Sequence, residues 1–131
     1  MSTSADDLVV QARRRIHRVG PYQLDGVLAE GGLVVDIRPA AQRLEEGSLP
    51  GAVIVERNVL EWRFDLNGDH HLPEVHSLSQ PIVIMCSQGY ASSLAAASLA
   101  DLGYTRAADL VGGFRAWRSW FVANGRARHV S

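Results

Sequence analysis

Apolar and polar positions fall into blocks along this chain, and the period changes from block to block. Leu33-Val34-Val35-Asp36-Ile37 is a near-continuous apolar run, and residues 52–55, 81–85 and 106–111 are similar. Short runs of this kind, bounded by glycine, proline or polar residues, predict strands buried on both faces of a sheet. Between them lie segments with helical spacing: residues 22–30, 39–46, 59–64, 91–102 and 114–122. Gly31, Gly47 and Gly103 stand where three of these helices should stop, and Pro39 stands early in the second. Upstream, Leu8, Val9, Ala12, Ile16 and Val19 recur at helical spacing and predict one helix over residues 6–19. Residues 65–80 read as a long polar connection with Asn67-Gly68 as a turn.

Strands alternating with helices predict an α/β domain with a mostly parallel sheet. Ligands of such sheets bind outside the carboxyl ends of the strands. Asp36 and Arg38 follow the first apolar run, and Glu56 and Arg57 the second. Cys86 follows the third, and Gly112-Gly113 the fourth. The polar and glycine residues thus gather at one sheet edge.

Composition narrows the classes. At 131 residues, 47% hydrophobic and 21% charged, the chain fits one soluble globular unit that needs no disulfide or structural metal. The expected division is a helical extension over 1–19, the domain over 20–123 and a loose tail over 124–131. A net charge of −1 supplies no field for nucleic acid or membrane. There is no lysine, which excludes Schiff-base and P-loop lysine chemistry. The arginine bias suggests a bacterial source. The start carries no signal-peptide pattern, so the expected location is the cytoplasm, where one cysteine stays reduced. Arg13, Arg14, Arg15 and Arg18 could meet an anionic partner, but a solvated helix face is the simpler reading. His70, His71 and His76 read as surface residues, so no metal or other cofactor is expected.

The chemistry centres on Cys86, the single cysteine. A thiol at a strand end, facing a helix N-terminus, has amide N–H groups and the helix dipole to favour the thiolate. Gly89 allows the loop Ser87-Gln88-Gly89-Tyr90 to curl into an anion nest, and Ser92 and Ser93 add hydroxyls. Such a cradle suits a nucleophilic thiolate or a persulfide, R–S–S⁻.

The segment from Cys86 to Ser92 resembles the Cys-x-x-Gly-x-x-Ser active-site loop of the rhodanese family. Three further stretches are similar to that family's motifs. Asp36-Ile37-Arg38 matches Asp-x-Arg, and 47–52 resembles Gly-His-Ile-Pro-Gly-Ala. Residues 110–117 match Leu-x-Gly-Gly-Phe-x-Ala-Trp. Four motifs in order, across most of the chain, make the resemblance specific. It implies a three-layer sandwich with a central, mostly parallel five-stranded sheet flanked by helices. It implies a thiosulfate-sulfurtransferase-like enzyme in which Cys86 takes sulfur from thiosulfate or a persulfide and passes it to cyanide, a thiol or a protein cysteine. The amides of Ser87, Gln88, Gly89, Tyr90, Ala91 and Ser92 would bind the substrate, with Asp36, Arg38 and Arg57 in support. The expected assembly is a monomer or homodimer. A non-catalytic binding, sulfur-carrier or redox-sensing module is the alternative.

Two positions depart from the family pattern. Many members carry arginine where this chain has Ala91, and Ser48 stands in the histidine slot. The loop therefore holds no charged side chain, and attraction for an anionic donor would have to come from Arg38, Arg43 or Arg57. Cysteine-loop phosphatases need an arginine at the place of Ser92 to clamp the oxyanion, which argues against that chemistry.

Overall fold

The computed structural model describes residues 2–125. Five strands form one sheet: β1 (His17–Val19), β2 (Leu33–Asp36), β3 (Val53–Ile54), β4 (Ile82–Met85) and β5 (Ala107–Leu110). All pairs are parallel, in the order β1-β5-β4-β2-β3. Six α-helices flank it: α1 (Ala5–Arg13), α2 (Leu24–Ala29), α3 (Ala40–Glu46), α4 (Leu60–Phe64), α5 (Ala91–Asp101) and α6 (Gly113–Trp120). Short 3₁₀ turns lead into α2 and α4.

The sheet divides the core in two. On one face Ile82, Ile84 and Cys86 pack with Leu60 and Phe64 of α4 and Ala95, Ala96 and Leu99 of α5. On the other, Val83 and Met85 pack with Leu24 and with Phe114 of α6. This is the period-two alternation of a strand covered on both sides. Cys86 continues the α5-side register of Ile82 and Ile84, so its sulfur emerges at the start of α5.

The N-terminus corrects one expectation. The helix expected over 6–19 ends at Arg13, and His17–Val19 is an edge strand on β5. Helical spacing of Ile16 and Val19 is compatible with either form over so few residues, and pairing decides. Arg18 lies in register with Asp109 and forms an ion pair with it. Asp7 and Ser4 form a reciprocal capping box that fixes where α1 begins. Helix α1 packs along α5.

The connection over 65–80 is less polar in practice than in sequence. Leu72 and Val75 enter the α5-side core, and Gln80 is buried, its amide donating to Gly31 O and Glu74 O. At the chain's end, Trp117 stacks on Phe121 and tilts against Phe114. Asn124 and Gly125 belong to the turn Phe121–Gly125, and the rest of the expected tail lies outside the described residues.

Tyr104 is buried and donates its hydroxyl to Phe64 O at 2.6 Å. Burial, reinforced by Asp65, pushes its phenol from 10.0 up to about 12. The raised value fixes the sign of a pH effect. Stability from this group is complete below the unfolded value and is lost as pH climbs through the folded one. Urea unfolding of the wild type is expected to lose stability between pH 10 and 12. Tyr104→Phe should start less stable at neutral pH by about 1 kcal/mol and lack that share of the alkaline loss.

Candidate active site

Cys86 follows β4 directly and is 8% exposed. Its Sγ accepts two backbone N–H groups, from Gly89 at 3.2 Å and Ser92 at 3.3 Å. The first turn of a helix leaves N–H groups without intrahelical partners, and Tyr90, the N-cap residue of α5, supplies no side-chain cap. The sulfur takes that place. The arrangement stabilises negative charge on Sγ by directed amides and by the end of α5.

The loop keeps this shape because it rests on the Gly112-Gly113 turn. Gly89 has φ +90, and a Cβ there would lie 2.8 Å from Gly112 N. Phe114 N donates to Cys86 O at 2.8 Å and Arg115 N to Ser87 O at 3.1 Å. The start of α6 thus holds the outer carbonyls of the loop while the start of α5 holds the sulfur.

Two charge networks flank the loop. In the first, Arg38 is 1% exposed and donates to both carboxylate oxygens of Asp36, to Glu46 Oε1 and to Gly47 O. Its guanidinium lies 4.0 Å over the Phe114 ring. Burial acts to lower its affinity for the proton, but the bonds and charges of Asp36 and Glu46 outweigh this and raise it. Glu46 also accepts Ser87 Oγ at 2.7 Å and Arg115 Nε at 3.1 Å. Burial pushes its carboxyl up, and the Ser87, Arg38 and Arg115 hydrogen bonds together bring it below the usual carboxylate range.

The second network is centred on Asp109 of β5, which is fully buried. Its Oδ2 accepts Ser92 Oγ at 3.1 Å and Ser93 Oγ at 2.7 Å, and Oδ1 accepts Arg18 Nε at 2.8 Å. Arg13 donates to Ser93 Oγ and, at 2.8 Å, to Gly89 O.

The expected residues therefore fall into groups. Cys86, Gly89 and Ser92 meet at the sulfur. Ser87 turns its hydroxyl to Glu46, and Tyr90 and Ala91 are exposed at the rim, as is Gln88. Asp36 and Arg38 satisfy each other beneath the loop. Arg57 is paired with Glu61 and bonded to Ser98, on the α4–α5 side. Arg43 donates to Arg38 O. Glu46, Asp109 and Arg115 were not singled out in the sequence, and Arg13, read there as part of a solvated helix face, lies instead against the loop. A single acid inside the apolar run 106–111 was the one available signal for Asp109.

The profile of the rhodanese-like domain matches residues 21–119. The chain belongs to the rhodanese-like family. Among curated relatives of this rhodanese-like chain, the thiosulfate sulfurtransferase GlpE of Pseudomonas entomophila is 33% identical over 104 residues, which cover 79% of this chain and 86% of the relative. A rhodanese homologue from the extremely thermophilic bacterium Thermus thermophilus is 33% identical, covers 77% of this chain and 100% of its own, and superposes with a TM-score of 0.56. A Rhodopseudomonas palustris protein, described as of unknown function and a possible tyrosine phosphatase, is 26% identical. It covers 92% of both chains at a TM-score of 0.82. Among the described residues, no helix is long and apolar enough to cross a membrane.

Proposed function

We propose that this rhodanese-like domain is a sulfurtransferase that carries sulfane sulfur on Cys86. The observation that carries the reading is the convergence of the Gly89 and Ser92 amides on one strand-end sulfur. The sulfurtransferase names of its relatives support it. With thiosulfate, the Cys86 thiolate attacks the outer sulfur and a new S–S bond forms. The bond between that sulfur and the sulfonate sulfur breaks, and its electron pair leaves with sulfite. The persulfide Cys86–S–S⁻ keeps the negative charge, and loop amides stabilise it. A nucleophile, cyanide or a thiolate, then attacks the outer sulfur and returns the Cys86 thiolate. The scheme is a double displacement.

The phosphatase description of the Rhodopseudomonas neighbour finds no support at the corresponding residues here. Ser92 occupies the place of the oxyanion-clamping arginine, and its hydroxyl is turned to the Asp109 carboxylate. A serine hydroxyl engaged with a carboxylate offers no bidentate cation to a phosphoryl group where that chemistry needs one.

Intact mass spectrometry tests the proposal. After incubation with thiosulfate or a low-molecular-weight persulfide, the protein should gain the mass of one sulfur. The gain should vanish on adding cyanide and be absent from Cys86→Ala. A wild-type protein that takes sulfur from neither donor would falsify the reading and leave a binding or redox module.

A further inference from the structure

The arginines expected to serve an anionic donor are engaged elsewhere. Arg38 is balanced by Asp36 and Glu46, Arg57 by Glu61, and Arg43 is bonded to a backbone carbonyl. Among the described residues, the arginine whose side chain bonds to the backbone of loop 87–92 is Arg13. It stands in the last turn of α1, ahead of the segment matched by the family profile. One guanidinium nitrogen donates to Gly89 O at 2.8 Å and Nε donates to Ser93 Oγ at 3.0 Å. Its Cζ lies 5.6 Å from the centroid of the Tyr90 ring. One side chain therefore touches the loop at Gly89, its exposed rim at Tyr90 and the start of α5 at Ser93.

Two consequences follow from elementary chemistry. In a trans peptide the C=O and N–H point in opposite directions. Holding Gly89 O toward α1 therefore turns the N–H of the same peptide, that of Tyr90, away from α1. The second consequence concerns charge. Arg18 neutralises the buried Asp109 carboxylate, so Arg13, Arg18 and Asp109 sum to one positive charge (1 + 1 − 1). Arg38 and Arg115 with Asp36 and Glu46 sum to zero (2 − 2). Among the described residues, the uncompensated charge of the first set lies on the side chain that holds the loop.

We propose that Arg13 is a positioning and donor-selecting residue of this site, bringing from α1 the cation that Ala91 omits and favouring small anionic sulfur donors over neutral ones. The proposal rests on the sulfurtransferase reading for its substrate. Its physical core, a positive field at the Cys86 loop, is testable without sulfur transfer.

The test compares Arg13→Gln, Arg13→Lys and Arg15→Gln. The last removes a charge from the same segment whose ion pair, to Asp101, leaves the loop alone. Cys86 is alkylated with iodoacetate, which is anionic, and iodoacetamide, which is neutral, and thiosulfate persulfidation is followed by mass. Arg13→Gln is expected to lower the iodoacetate-to-iodoacetamide rate ratio roughly 3- to 10-fold, as for one charge lost near a half-screened site. Thiosulfate persulfidation should slow by a similar factor. Arg13→Lys should restore most of the ratio, and Arg15→Gln should match the wild type. Melting curves check the fold, and Arg13→Ala replaces the Gln variant should that one melt early. An Arg13→Gln ratio equal to that of Arg15→Gln overturns the proposal. A ratio that falls while the wild type accepts no sulfur overturns the sulfurtransferase reading and keeps Arg13 as the loop's cation.

Discussion

Gly113→Ala is expected to destabilise the protein by about 3 kcal/mol or more and to abolish chemistry at Cys86 in whatever still folds. Gly113 has φ +66, where a side chain is strained. A Cβ at this position would also lie 2.6 Å from Cys86 O and 2.6 Å from the carbonyl carbon and oxygen of Ser87. These are backbone atoms and cannot rotate away. Relief requires either moving the cysteine loop or withdrawing α6, and the latter breaks the Phe114 N and Arg115 N hydrogen bonds. Gly51→Ala is the matched control, because Gly51 has φ +84 but, among the described residues, nothing within 4 Å of its Cβ position. It should cost only the backbone term, about 1 kcal/mol. Urea unfolding of both variants measures the difference. Equal losses would mean that the loop and the glycine turn do not share one rigid contact.

The second large effect lies beneath the loop. Arg38→Ala is expected to cost about 3–5 kcal/mol, since it leaves the Asp36 carboxylate buried without its partner. Arg38→Lys should recover little of this, because a point charge cannot reach Asp36, Glu46 and Gly47 O together. Removing both charges, as Arg38→Met with Asp36→Leu, should cost well below the sum of the single changes, since no orphaned charge remains. Denaturant unfolding of the set gives the coupling. An additive double variant would contradict the close pairing. The change should also reach the site, because Glu46 uses one carboxylate oxygen for Arg38 and the other for Ser87.

Which parts were legible follows from distance along the chain. The runs of β2, β4 and β5 are buried on both faces, so their residues are apolar with few interruptions, and the pattern shows them. Gly89 and Gly113 are demanded by backbone approaches and Gly112 by its φ of +74 and the nearby Ala116 Cβ, and all three stand in short motifs that can be read. Strand β1 could not. Its three residues, His17-Arg18-Val19, carry no apolar run, and they are a strand because β5 offers an edge. The same applies to the residues that brace the site. Arg13 meets Gly89 across 76 positions, and Arg18 meets Asp109 across 91. In the sequence these arginines stand in a basic helix-like segment that resembles any solvated face. Only the fold separates Arg13 and Arg18, which serve the loop and its buried acid, from Arg15, which pairs on the surface.

The strand order has a consequence for the newborn protein. Strand β5, the last to be synthesised, lies between β1 and β4. Until it emerges, the earliest strand has no neighbour to join and the middle of the sheet stands open. Cys86 leaves the ribosome before Asp109, Gly112 and Gly113, which anchor its loop. Long-range parallel pairing of this kind is slow to form. The nascent chain therefore carries a thiol whose surroundings are completed last, when both ends of the domain have met.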